Sequence, residues 1–173
     1  QAFSYPGRVV SLSHLSHSQG GDLDTAVTSV LATLIDNTVR FHDVTGKLKA
    51  STLQKLELQS SPLDKAQFIL AEGERAPEFT PNTGSLEEPE YGATVIVHVE
   101  GFETDSSPWI LRGPGIATQQ TLHIQGLHPE WLKQRKEWNC GFPMGVDLLL
   151  VSKSALVALP RTIFIKTEAT WVM

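Results

Sequence analysis

Three short segments of the 173-residue chain hold residue types that could bind or move charge. In Leu111-Arg112-Gly113-Pro114-Gly115-Ile116, two glycines flank a proline, which allows a tight turn and lets an anion approach main-chain N–H groups beside the fixed charge of Arg112. A plain turn between two strands uses the same residues. In Gly141-Phe142-Pro143-Met144-Gly145-Val146-Asp147, the glycines permit a sharp turn into an apolar strand, with Asp147 at its start. A carboxylate there can hold a ligand hydroxyl, or accept backbone N–H groups and keep the turn closed. In Ala158-Leu159-Pro160-Arg161-Thr162, Arg161 presents a planar fork of donors suited to a carboxylate or phosphate. A salt bridge to Asp147 across adjacent strands is the competing use, and both hold if the pair borders a pocket.

Other reactive types lack the spacing their chemistry needs. His14 and His17 are three apart, His42, His98, His123 and His128 are dispersed, and Cys140 is the single cysteine, so no zinc-type ligand set is written in the chain and no metal is expected. The lysine and Ser/Thr of a phosphate loop do not follow Gly113 or Gly115, and neither a Gly-x-Ser-x-Gly elbow nor a dinucleotide fingerprint occurs. Cys140 beside Gly141 is a nucleophile only with a base at hand, and otherwise a small inert hydrophobe.

The elements that must position these residues follow from hydrophobic period. Tyr5-Pro6-Gly7 signals a turn, residues 8–13 a short strand, and His17-Ser18-Gln19-Gly20-Gly21 a polar loop. Val27, Val30, Leu31, Leu34 and Ile35 recur at helical spacing, with Asp22 as the N-cap. Strands are expected at 39–44 and 66–70, while 53–58 fits helix or strand. Residues 72–90, with Pro77, Pro81, Pro89 and several glutamates, read as irregular surface. Residues 93–99 are almost continuously apolar, the pattern of a central strand buried on both faces. Further strands are expected at 109–112 and 121–124, then a helix at 129–138 with proline at its first position, where the missing N–H costs nothing. Residues 146–151 and 155–159 form a hairpin across Ser152-Lys153-Ser154, followed by a strand at 163–165. The expected fold is α/β, one domain over residues 1–173 with a mixed sheet covered by helices.

Composition narrows the class of function. Forty per cent hydrophobic residues close one core, and the formal charge of −5 with 14 scattered Lys and Arg disfavours nucleic acid. A lone cysteine, no signal-peptide pattern and no long apolar span point to a reducing cytoplasm rather than a membrane, with the proviso that the chain opens at Gln1 and sequence before it is open.

Four ordered blocks, Tyr91-Gly92-Ala93-Thr94, Arg112-Gly113-Pro114-Gly115-Ile116, Phe142-Pro143-Met144-Gly145-Val146-Asp147-Leu148 and Ala158-Leu159-Pro160-Arg161-Thr162, together resemble the PhnH family of the bacterial carbon-phosphorus lyase system. The resemblance is strongest over 91–167 and reaches back weakly through Thr28-Ser29-Val30-Leu31 to Pro6-Gly7. It departs before the Pro-Gly turn, where relatives usually carry a helix and this chain has Gln1 to Tyr5, and in 72–90. The resemblance implies a truncated fold-type I pyridoxal-phosphate transferase domain without that cofactor, a homodimer, and assembly with the G, I and J subunits. It further implies a supporting role in displacing adenine from ATP by a phosphonate, giving ribose 1-methylphosphonate 5-triphosphate, with catalysis in a partner subunit and no cofactor or catalytic residue here. Arg112, Gly113, Gly115, Asp147, Arg161 and Thr162 are the candidate ligand-binding residues, for a phosphate, nucleotide or phosphonate. The competing class is a free-standing transferase with a nucleotide or pyridoxal-phosphate-like cofactor. It needs a desolvated lysine, and Lys133, Lys136, Lys153 and Lys166 stand in poor contexts for one.

Overall fold

The computed structural model describes residues 2–12, 25–103 and 106–167. His14, His17, the 17–21 loop and the Asp22 cap lie outside the described residues. The elements in chain order are β1 (Val10–Ser11), α1 (Thr25–Leu34), β2 (Arg40–Asp43), α2 (Ala50–Lys55), β3 (Gln59–Ser60), β4 (Phe68–Glu72), β5 (Thr94–His98), β6 (Trp109–Arg112), β7 (Gln120–Leu122), α3 (Glu130–Trp138), β8 (Asp147–Val151), β9 (Ala155–Leu159) and β10 (Phe164–Thr167).

A seven-stranded mixed sheet runs β1-β9-β8-β5-β4-β2-β3, and β5 sits at its centre as its apolar run requires. Its strands pair in parallel from β3 to β8, and the hairpin partner β9 is antiparallel to both β8 and β1. Successive side chains of a strand face opposite sides, and the two cores obey that period. Val95, Val97, Leu148, Leu150, Val157 and Leu159 enter one core, while Ile96, Leu149, Val151 and Ala158 enter the other.

The second of these cores is closed by α1, whose Ala26, Val27, Val30 and Leu31 are buried, with Ile35 just beyond the helix. Leu34, expected on the same face, is exposed because the helix ends there. The first core corrects the expected picture of a mixed sheet covered by helices. It is covered partly by α3 and partly by a three-stranded sheet of order β10-β6-β7. In β6, Trp109 and Leu111 are buried and Arg112 is exposed, the alternation of a strand with one dry face, so β6 serves a small covering sheet rather than the large one.

Segment 53–58 resolves as the end of α2, with Glu57 at a left-handed φ of 52° turning the chain toward β3. Residues 73–92 are irregular except for a 3-10 turn at Pro89–Tyr91, and they are not all surface. Gly73, Pro77 and Pro81 are buried, which proline tolerates because it carries no N–H to satisfy. Phe79 reaches inward to Trp131 and Trp138, with ring centroids 6.1 and 5.6 Å away, and the two tryptophans meet edge to face at 6.1 Å. Among the described residues no helix is long and apolar enough to cross a membrane.

Candidate functional site

Parallel pairing aligns the start of β5 with the start of β8, Thr94 against Asp147, and β9 returns the chain so that Arg161 arrives at the same edge. Arg161 Nη2 donates to Asp147 Oδ2 at 2.9 Å, and the Arg161 backbone N–H donates to Oδ1 at 2.7 Å. Arg161 Nε also donates to Oδ1, at 3.4 Å, while Nη1 donates to the Pro89 carbonyl at 2.8 Å and Nη2 to that of Gly92 at 3.3 Å. Both side chains are mostly buried, so the bonds form with little competition from water. The salt-bridge use of the pair is realised, and the arginine also ties the end of the 73–92 segment to the sheet.

The backbone beneath is unusually close. A Cβ on Gly92 would collide with the Gly145 carbonyl and reach Arg161 Nη1 at 2.6 Å, so glycine is required at 92. Gly145 has a φ of 142° and lies against Asn139, whose Oδ1 accepts from the Val146 N–H at 2.7 Å and whose Nδ2 donates to the Val146 carbonyl at 3.2 Å. Asn139 therefore clips the end of α3 to the start of β8. From α3 a second arginine enters: Arg135 is 4% exposed, donates from Nη2 to the Pro160 carbonyl at 2.6 Å, and leaves Nε without a partner. Burial pulls its pKa down to about 10, with the Asp147 charge opposing that shift. The sequence places Arg135 on α3 without revealing that its guanidinium bonds the Pro160 carbonyl and feels the charge of Asp147; a charged residue at i+4 from buried Trp131 was the available signal.

The Arg112 corner is assembled differently. Arg112 is exposed and donates to Gln119 Oε1 at 3.2 Å, away from the pair. Its glycines make room for protein: a Cβ on Gly115 would stand 2.8 Å from Pro6 Cδ, and one on Gly113 would stand 2.8 Å from Ile163 Cδ1 and 3.0 Å from the Thr162 carbonyl. Asp147 and Arg161 are thus brought together, Thr162 next to them borders Gly113, and the Arg112 guanidinium bonds Gln119 instead.

A second site is one that the sequence does not announce. Asp43, Glu72 and His98 are the last residues of β2, β4 and β5, three neighbouring parallel strands, and open α/β sheets receive ligands at that carboxyl edge. Two adjoining clefts of about 270 and 330 Å³ share Glu72 there. One runs under Val44, Thr45, Arg75, Phe79 and Trp131, and the other between Lys47, His98, Glu100 and Lys153. The half-buried Glu72 is clamped by Lys47 Nζ and by Arg75 Nε, the latter at 3.3 Å. Polar residues at the ends of apolar strands were the signal, readable only once parallel order is known. His42 and His123 bond the carbonyls of Ser61 and Ser106 through Nδ1, and His128 Nδ1 accepts from the Glu130 N–H, all local ties. Cys140 is exposed on a further cleft of about 350 Å³ with Gln134, Glu137 and Met144. Among the described residues, no three His, Cys, Asp or Glu side chains converge to hold a metal ion.

A relative and a family model match this chain over nearly its whole length, and a second relative matches about half of it. The chain is 45% identical over 168 residues, 96% of this chain and 82% of the relative, to "Putative C-P lyase subunit protein HtxG" of Stutzerimonas stutzeri. It is 35% identical over 85 residues, 49% of this chain and 42% of the relative, to "Alpha-D-ribose 1-methylphosphonate 5-triphosphate synthase subunit PhnH" of Rhizobium meliloti (strain 1021). The family described as "Bacterial phosphonate metabolism protein (PhnH)" matches residues 1–166, and the chain belongs to that family.

Proposed function

We propose that this chain, as one domain, is an accessory subunit of the carbon-phosphorus lyase system of phosphonate degradation, working in the cytoplasm with the G, I and J subunits. The observation that carries the reading is the 45% identity, across 96% of the chain, to a relative whose name is that of a C-P lyase subunit. In this reading the chain supports formation of ribose 1-methylphosphonate 5-triphosphate from ATP and a phosphonate, and a partner subunit breaks and makes the bonds. The use of Arg161 and Asp147 to hold backbone, with the fork spent on Pro89, Gly92 and Asp147, supports a shaping role at that edge. Arg112, exposed beside Gly113, Gly115 and Thr162, is the member of the ligand-binding set best disposed to meet an anion handled by the complex. The homodimer and the likeness to a truncated fold-type I transferase domain without its cofactor belong to the same proposal.

Co-expression of a tagged chain with the G, I and J subunits tests it. Stoichiometric co-purification is expected, and failure to associate at micromolar concentration would refute the reading.

The carboxyl-edge clefts favour a second reading, a free-standing transferase taking a nucleotide or a pyridoxal-phosphate-like cofactor. Lys47 and Lys153 are the lysines on those walls, and Lys47 is engaged with Glu72. A cofactor absorbance band fixed by borohydride and lost in Lys153→Ala would favour this reading over the first.

A further inference from the structure

Acidic charge is concentrated in one stretch of the chain. Residues 76–111 carry seven Asp and Glu and no Lys or Arg, more than the whole formal charge of −5. Within that stretch Glu87, Glu88 and Glu90 are all exposed, and they lie in sequence between two apolar side chains that water also reaches, Leu86 at 65% and Tyr91 at 41% exposure. A third, Phe142 at 72%, stands on the loop that precedes β8. The two loops meet at the amino edge of the large sheet: the Gly145 N–H donates to the Thr83 carbonyl at 2.8 Å, and the Gly92 backbone lies against that of Gly145. The segment is held in shape, since the Glu88 N–H bonds Ser85 Oγ at 3.1 Å and Arg161 grips the Pro89 and Gly92 carbonyls. Exposed apolar side chains on a braced segment with glutamates beside them have the composition of a docking surface.

Charge selects the occupant. A second copy meeting this face across a twofold axis would bring its own glutamates against these. Nucleic acid and anionic lipid surfaces are repelled for the same reason. We infer that Leu86, Tyr91 and Phe142, together with Glu87, Glu88 and Glu90, form the face that docks a different protein, one presenting an apolar pocket bordered by lysines and arginines. This inference rests on the accessory-subunit reading and assigns it a surface. The glutamates steer the approach and the three apolar side chains hold the complex.

The test measures binding of the folded chain to immobilised, co-assembled G, I and J subunits, at 50 and 300 mM salt. Leu86→Ser with Phe142→Ser, and separately Glu87→Lys with Glu88→Lys and Glu90→Lys, are each expected to weaken binding by about tenfold or more. Phe164→Ser, at the 75%-exposed aromatic on the small sheet, is the control expected to bind as wild type. Higher salt should weaken the wild type several-fold by screening the attraction, and strengthen the residual binding of the charge-reversed variant by screening its repulsion. Wild-type binding retained by both sets of variants would overturn the docking face and leave the accessory reading standing. A homodimer dissolved by these variants with the larger assembly intact would assign the face to a second copy and overturn it equally. If the wild type itself fails to bind, the accessory reading falls and this inference with it.

Discussion

Asp147 carries one negative charge between two mostly buried guanidiniums, bonded to Arg161 and felt by Arg135. Removing it leaves two cations in a poorly solvated place, so Asp147→Asn should cost about 3 kcal/mol of folding stability by urea titration. Arg161→Lys keeps a charge but loses the fork that reaches Asp147, Pro89 and Gly92 together, and should cost about 1–2 kcal/mol. Arg135 behaves differently because its charge is poorly compensated. Its folded pKa is depressed, so below pH 10 both folded and unfolded chains carry the proton and the folded one bears the full desolvation cost, which is relieved as pH rises through that value. Arg135→Met fills similar space without charge, and its stability at pH 7 should lie within about 1 kcal/mol of wild type or above it. A large loss in Arg135→Met would mean that the Pro160 hydrogen bond outweighs the buried charge. The Asp147–Arg161 pairing was legible in sequence because each residue borders an apolar run, where an unpaired charge is costly. Arg135 was not, since i+4 spacing from Trp131 says which face of the helix is buried but not what that face meets.

At the scale of elements, α3 is the joint of the molecule. Its Trp131 and Trp138 receive Phe79 from the long segment, and its terminal Asn139 clips β8 in place. Asn139→Ala removes two hydrogen bonds at Val146 and should lower stability by about 2 kcal/mol in chemical denaturation. Phe79→Ala should cost about 2–3 kcal/mol and shift tryptophan emission to longer wavelength as water reaches the ring cluster. An unshifted spectrum would mean the segment covers α3 without Phe79. The strands and helices were readable from period, and continuous apolarity correctly marked β5 as central. Their assignment to sheets was not readable: β6, β7 and β10 carry ordinary strand patterns, and nothing local says that they leave the main sheet to cover its face. The carboxyl-edge clefts stayed hidden for the same reason, because Asp43, Glu72 and His98 are far apart in sequence and become neighbours only through parallel pairing.

For the whole molecule, the two ends of the parallel sheet divide the work. The carboxyl edge offers clefts lined by mixed charges, and the amino edge offers braced backbone carrying an acidic, apolar rim. In the proposed accessory role, the amino edge presents a shape to partner subunits, and those partners make and break the bonds. The decisive experiment is phosphorus NMR of ATP and methylphosphonate incubated with the purified chain alone, with the other subunits alone, and with both together. No ribose 1-methylphosphonate 5-triphosphate is expected from the chain alone, and full formation only when it is added back to its partners. Product formed by the chain on its own, or formation by the partners at an undiminished rate without it, would show that the chain is not an accessory subunit.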